Sequence, residues 1–312
     1  MKRIILTGAS GFIGREILKI LSREKIFTYA VIRDLNKIDE SIKNLNSVKF
    51  ISCDMENIKM LPEILHEHEN IDTCIHLAWS GSTGIDRADY KMQIDNVMAS
   101  MNLINALAKI GVKRFVGAGT LAERDVLNYH LEDGATPNST SIYGVAKVSA
   151  HMMTKAECNR LNIDHIWVYI SNTYGVGNNT NNFINMAAKK FLTGERAAFT
   201  AGEQVYDFSY ITDTAKAIFM TAMNGKNNCA YYLGSTQARK LKEYIKIIRD
   251  TVDPGIELHL GEIAFNGRSL PESEYDTQKL VKDTGFKPEI NFNEGIAVTI
   301  EWLKKILENN KK

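Results

Sequence analysis

The chain has 312 residues, 44% of them apolar and 24% charged, ordinary for a globular protein and enough for one large or two modest cores. With 38 basic against 37 acidic side chains the formal charge is +1, which gives no footing for nucleic acid or an anionic membrane as a partner. No apolar run approaches the roughly 20 residues of a membrane helix, and the four cysteines (Cys53, Cys74, Cys158 and Cys229) lack metal-ligand spacing, so no metal is expected.

The chain opens on its clearest signal. Ile4 to Leu6 is a short apolar run, glycines follow at Gly8, Gly11 and Gly14, and Phe12 to Leu21 then carries apolar residues at helical spacing. A strand, a glycine turn and a helix begin a βαβ unit. Glycines let the backbone approach a pyrophosphate, and the helix N-terminus offers it free N–H groups and partial positive charge. The spacing is G-x-x-G-x-x-G, and its place between a legible strand and a legible helix favours dinucleotide binding over a plain turn. Met1 leads straight into this strand, leaving no room for a signal peptide. With cysteines that fit a reducing compartment, a cytoplasmic protein is expected.

Further strand-like runs fall at Thr28 to Ile32, Val48 to Cys53, Asp72 to Leu77, Arg114 to Ala118 and His165 to Ile170. Helical patterns at about 90–109 and 141–161 lie among them. This alternation predicts an α/β fold built on a doubly wound parallel sheet of Rossmann type, with chemistry just after the strands. Beyond Ile170 the rhythm breaks in a Gly/Asn-rich crossover from Asn172 to Asn182. Residues 1–172 are therefore expected to form the dinucleotide domain, rejoined by about 211–236. The segments 173–210 and 237–312 are expected to form a smaller mixed α/β substrate lobe.

The second strand ends Val31-Ile32-Arg33-Asp34. Asp34 has the spacing of a residue that bonds a ribose 2′-hydroxyl, but Arg33 is nearer the strand end and could hold a 2′-phosphate, so NADP is preferred, with NAD possible. Tyr143 and Lys147 are four apart and share a helix face. A nearby ammonium favours phenolate, so Tyr143 is expected to titrate below its usual value of about 10 and to exchange a proton near neutrality. Tyr275 and Lys279 repeat the spacing, but their place in the second lobe marks them as a chance pair. Thr120 ends the fifth strand, where its hydroxyl could polarise a carbonyl.

Taken in order, Thr7-Gly8-x-x-Gly11-x-x-Gly14, His76-Leu77-Ala78, Asn96, Thr120, Tyr143-x-x-x-Lys147 and Asn172-x-Tyr174-Gly175 resemble the extended short-chain dehydrogenase/reductases, the NAD(P)-dependent nucleotide-sugar epimerases, dehydratases and reductases. The resemblance continues through Asp207-Phe208-x-Tyr210-Ile211-x-Asp213, Asp276-x-x-Lys279, Gly285-Phe286-x-Pro288 and Glu294-Gly295-Ile296, nearly the whole chain. It implies that Tyr143 is the acid/base, that Lys147 holds the nicotinamide ribose and tunes Tyr143, and that Thr120 fills the Ser/Thr position. Gly8, Ser10, Gly11, Phe12, Ile13, Gly14, Arg33, Asp54, Met55, Leu77 and Ala78 would contact the cofactor, Asp54 at the adenine. Trp79, Ser80, Thr120, Glu123, Asn172 and Arg268 would face a nucleotide-sugar substrate. It also implies a homodimer through the helices at about 90–109 and 141–161, whose stripes Val97-Met101-Ile104-Ala108 and Val145-Val148-Met152-Ala156 are apolar beyond one face.

Two departures narrow the reaction. Where many relatives carry an Arg before the Asp207-Phe208 motif, this chain has no Arg nearby, so phosphate contacts shift towards Arg268. The 4,6-dehydratases carry Asp-Glu directly after the active-site Thr, whereas here Thr120 is followed by Leu121-Ala122-Glu123, with Glu123 still able to approach the sugar. NADPH-dependent reduction of a 4-keto-6-deoxysugar is the expected activity, with a 4-epimerase as the alternative and a dehydratase or a silent cofactor-binding sensor behind it.

Overall fold

The computed structural model describes residues 3–65, 70–265, 267 and 269–309. Strand β1 (Arg3–Thr7) has Ile4, Ile5 and Leu6 wholly buried, as a central parallel strand covered on both faces requires. Helix α1 (Phe12–Arg23) turns Ile17, Leu18 and Leu21 into the same core. The first half continues through β2 (Phe27–Ile32), short α2 (Glu40–Lys43), β3 (Val48–Ser52), short α3 (Leu61–Ile64), β4 (Ile71–His76) and the long α4 (Tyr90–Ile110). It ends with β5 (Arg114–Thr120), short α5 (Leu121–Asp125), α6 (Ser141–Arg160) and β6 (Asp164–Ile170). The rest comprises β7 (Asn172–Tyr174), α7 (Phe183–Thr193), β8 (Val205–Tyr206), β9 (Phe208–Tyr210), α8 (Ile211–Asn224), β10 (Cys229–Leu233), β11 (Arg239–Lys240), α9 (Leu241–Val252), α10 (Gln278–Thr284) and α11 (Phe292–Asn309).

The main sheet is parallel, with seven strands in the order β10-β6-β5-β4-β1-β2-β3. Chain order reverses between β1 and β4, and a doubly wound sheet binds its ligand at the carboxyl end of such a switch point. The register sets Thr7 opposite His76 there.

The chain divides into two compact units. The first holds Met1–Ile170, Ala215–Leu233 and Gln278–Phe286; the second holds Ser171–Thr214, Gly234–Thr277 and Lys287–Lys312. Helix α10 thus departs from the expected division, which left 278–286 in the smaller lobe. The cause is local: Leu280 and Phe286 are wholly buried in the first core, and Asp283 accepts from the Tyr231 hydroxyl of β10 (3.0 Å) and from Lys279 (2.8 Å). Tyr275, whose hydroxyl donates to Val205 O, belongs to the other unit. The second unit packs α7, α9 and α11 around an aromatic core that includes Tyr174, Phe191, Phe208, Tyr244 and Phe292.

Candidate active site

At the β1–α1 turn, Gly8 has φ +71, and a Cβ there would lie 2.8 Å from Ala78 N. A Cβ on Gly14 would lie 2.2 Å from Gly8 O. Both glycines are therefore required by close backbone approach. Gly11 is the N-cap of α1, and no side chain caps the helix and no acid sits in its first turn. Its leading N–H groups, among them those of Phe12 and Ile13, remain available to an anion. A cavity of about 360 Å³ opens here, and Gly8, Ser10, Gly11, Arg33, Asp54, Met55, Leu77, Ala78, Trp79 and Ser80 are among its lining residues.

Neutral His76 braces this floor. Burial drives its imidazole down to about 3. Ser100 Oγ donates to Asn96 O, so it accepts from His76 Nε2–H (3.0 Å); Nδ1 then accepts from the Thr7 hydroxyl (2.7 Å), which itself receives Ala78 N–H. The loop after β4 is held as firmly. Asn96 bonds both backbone groups of Ser80, and Gln93 accepts from Trp79 Nε1 (2.8 Å).

Trp79 connects this cavity to the Tyr-Lys helix. Its ring lies edge-on to Tyr143 at 6.3 Å, and Lys147 Nζ sits 3.7 Å from its centroid while donating to Ala118 O (2.8 Å). The Thr120 hydroxyl favours the ionised form of the Tyr143 phenol. Thr120, Tyr143 and Lys147 are thus brought together from β5 and α6. Their electrostatics differ from the sequence expectation. Burial pushes the Tyr143 phenol up to about 12, opposed by the Thr120 hydroxyl and the charge of Arg87, while burial brings Lys147 down to about 7, with Glu123 supporting its charge. Desolvation outweighs the expected lowering of Tyr143 by Lys147.

Glu123 needs correction as a sugar-facing residue. It is wholly buried; Oε1 accepts from Thr120 N (2.8 Å), both oxygens lie within reach of Trp167 Nε1, and His151 Nδ1 stands 3.4 Å from Oε2. It closes a capping box on α5 and holds Thr120 in place. Asp54 lines the cavity and also caps its own turn through Asn57 N (2.8 Å). Asp34 does not line it, and its carboxylate caps Asn36 N. Asn172 stands in the second unit, donating to Asp207 O (3.2 Å), and Arg268 lies outside the described residues.

Two arginines escaped the sequence reading. Arg87, in the single turn Gly84–Ala88, places its guanidinium 4.7 Å from the Tyr143 ring centroid. In the second unit, Arg239 on β11 stands directly opposite Tyr206 on β8, so an Arg is in fact close to the Asp207 motif. Its guanidinium stacks on Tyr244 at 5.3 Å. The same unit holds a cavity of about 260 Å³ walled partly by Phe183, Phe199, Tyr206 and Phe265.

A model of the NAD dependent epimerase/dehydratase family matches residues 4–234. A dTDP-D-glucose 4,6-dehydratase of Mus musculus is 25% identical over 99% of this chain and 91% of its own length. A CDP-abequose synthase of Salmonella typhimurium is 24% identical over 97% of this chain and 98% of its own. Among solved structures, a UDP-glucose 4-epimerase with UDP-glucose from Thermotoga maritima is similar at a TM-score of 0.79 and 22% identity, covering 98% of this chain and 99% of that one.

Proposed function

This chain belongs to the NAD dependent epimerase/dehydratase family, and from that premise we propose that it reduces the C4 carbonyl of a nucleotide-linked 4-keto-6-deoxysugar with NADPH. The burial of Glu123 carries the choice of reaction. Eliminating water from a sugar needs an acid and a base besides Tyr143, and the Glu123 carboxylate is engaged by Thr120 N, Trp167 and His151. Carbonyl reduction needs only a hydride, a polarising hydroxyl and one proton donor.

The glycine turn, the uncapped α1 terminus and the 360 Å³ cavity fit a dinucleotide. When bound, that cofactor supplies the hydride. Thr120 orients the carbonyl oxygen, and Tyr143 gives its proton to that oxygen as carbon is reduced, leaving a phenolate that recovers a proton from solvent. Lys147, fixed by Ala118 O and the Trp79 ring, holds the ribose.

Arg33 supports NADP: it is exposed and lines the cavity, whereas Asp34 is engaged by its own turn and by Lys37. Replacing Arg33 with Ala is expected to weaken NADP binding roughly 10-fold or more and leave NAD nearly unchanged, since only the 2′-phosphate loses charged hydrogen bonds. Equal losses for both cofactors, by fluorescence titration, would count against this preference.

Epimerisation is the second reading, favoured by the likeness to a UDP-glucose 4-epimerase, because the same three side chains could take and return the hydroxyl proton while an oxidised nicotinamide, when bound, would take the C4 hydride and give it back. Stoichiometry separates the two. The protein is expected to consume one NADPH per ketosugar reduced and to stop without it. Interconversion of two nucleotide hexoses with no added cofactor and no net oxidation would replace the reductase by an epimerase.

A homodimer through α4 and α6 belongs to this reading. One side of each helix packs on the sheet, but Ile94, Met98, Val145 and Met152 are about half exposed, and Ile94, Met98 and Val145 line an apolar groove with Met153. Met98→Asp with Val145→Glu is expected to leave a folded monomer in sedimentation at micromolar concentration. Wild-type protein already monomeric there would rule the interface out.

A further inference from the structure

Burial strips Lys147 of water, and two groups stand in for it. The ammonium donates to Ala118 O (2.8 Å), and Nζ lies 3.7 Å from the centroid of the Trp79 indole, the contact distance of a cation seated on an aromatic face. Among the described residues no carboxylate pairs with it. The indole is itself held in this pose. Its Nε1 donates to Gln93 Oε1 (2.8 Å). Gln93 is wholly buried on α4, and its Nε2 donates to both Gly81 O (2.8 Å) and Asp86 O (3.1 Å). The amide therefore has one orientation, with its oxygen towards the indole. An ammonium has three N–H groups. With one on Ala118 O and the charge seated on the indole face, donor capacity remains for a further partner.

We propose that Gln93 and Trp79 are positioning residues for the reaction: Gln93 fixes the indole, and the indole face seats the Lys147 ammonium with donor capacity left for the nicotinamide ribose. The inference rests on the reading of Lys147 as the ribose-holding amine. An aromatic face suits this task better than a carboxylate. It attracts the charge but offers no lone pair to compete with a ribose hydroxyl for the remaining N–H. The other charged and titratable groups around the ammonium leave it this need. Glu123 from α5 favours its charge, His76 from β4 is neutral, and Tyr143 on α6 is a protonated phenol with the Arg87 guanidinium over its ring. Burial still brings Lys147 down to about 7, so any weakening of the indole's attraction shows in its charge at neutral pH.

The test places 5-fluoro-, 5,7-difluoro- and 5,6,7-trifluorotryptophan in turn at position 79. Fluorine withdraws charge from the ring face and scarcely changes its size or burial. In cofactor-free protein labelled with [ε-¹³C]lysine, the resonance missing from Lys147→Met reports the ammonium against pH. Its titration midpoint is expected to fall stepwise with fluorine number, by about one pH unit across the series, the worth of a desolvated cation–π contact. NADPH affinity at pH 7 should fall with it, about fivefold, as the charged fraction drops. In Gln93→Met, which frees the indole, the midpoint should lie below that of wild type and respond less to fluorine. A midpoint indifferent to fluorine would overturn the proposal, because a ring that only fills space keeps its shape. An NADPH affinity that stays level while the midpoint falls, or a fluorine response undiminished in Gln93→Met, would overturn it as well. Substrate and turnover play no part in these readouts, so the inference can fail while the reductase assignment stands, and that assignment fails separately in the NADPH stoichiometry.

Discussion

Replacing Tyr143 with Phe is expected to lower turnover by at least about 10²–10⁴-fold, the usual contribution of a positioned general acid. The substitution keeps the ring, and with it the edge-on contact to Trp79 at 6.3 Å and the stack under Arg87. It removes the phenolic proton. Cofactor affinity should survive, because the glycine turn and the His76 brace are untouched. The phenol also sets a pH expectation. Held up at about 12 by burial, it stays protonated across the neutral and mildly alkaline range, so ketosugar reduction should show no alkaline limb from Tyr143 below about pH 11. Near-normal turnover in Tyr143→Phe, measured by NADPH absorbance, would remove Tyr143 from the proton path.

The parts of the site that were legible in the sequence are those set by short-range geometry. The β1–α1 turn needs only adjacent residues: a buried strand, a glycine at positive φ, and a second glycine pressed against the first. Thr120 and the Tyr143-Lys147 pair were found by strand-end position and helical spacing. What stayed hidden depends on distant partners. Glu123 is an inward carboxylate because Trp167, 44 residues on, donates to it. Arg239 reaches Tyr206 only through the β8–β11 pairing, and Arg87 reaches Tyr143 only because α6 packs beside the turn after β4. The direction of the Tyr143 shift was missed for a related reason: spacing reports a neighbouring charge, whereas burial depends on the whole fold. Helix α10 joins the first unit through Asp283 and two buried side chains, which its amphipathic pattern alone does not address to either core.

Lys147→Met is expected to separate stability from activity. Its ammonium is buried, and that burial lowers it from its ordinary 10.5 to about 7. The unfolded chain therefore holds a proton that the folded chain lacks between about pH 7 and 10.5, and stability must rise with pH across that window. Below pH 7 the folded protein carries the full penalty of a desolvated charge, on the order of 5 kcal/mol at 1.36 kcal/mol per pH unit. The bond to Ala118 O and the indole contact offset about 1–3 kcal/mol of it. Methionine fills a similar volume without charge, so the variant should gain on the order of 2 kcal/mol at pH 6, and the gain should shrink towards pH 10. Turnover should move the other way, by about 10²-fold or more, because the amine that would hold the ribose is gone. Thermal melts at pH 6 and pH 9 beside a turnover assay decide the matter. A Lys147→Met protein that melts below wild type at pH 6 would mean that the ammonium stabilises the fold, and that burial is not what sets its proton affinity.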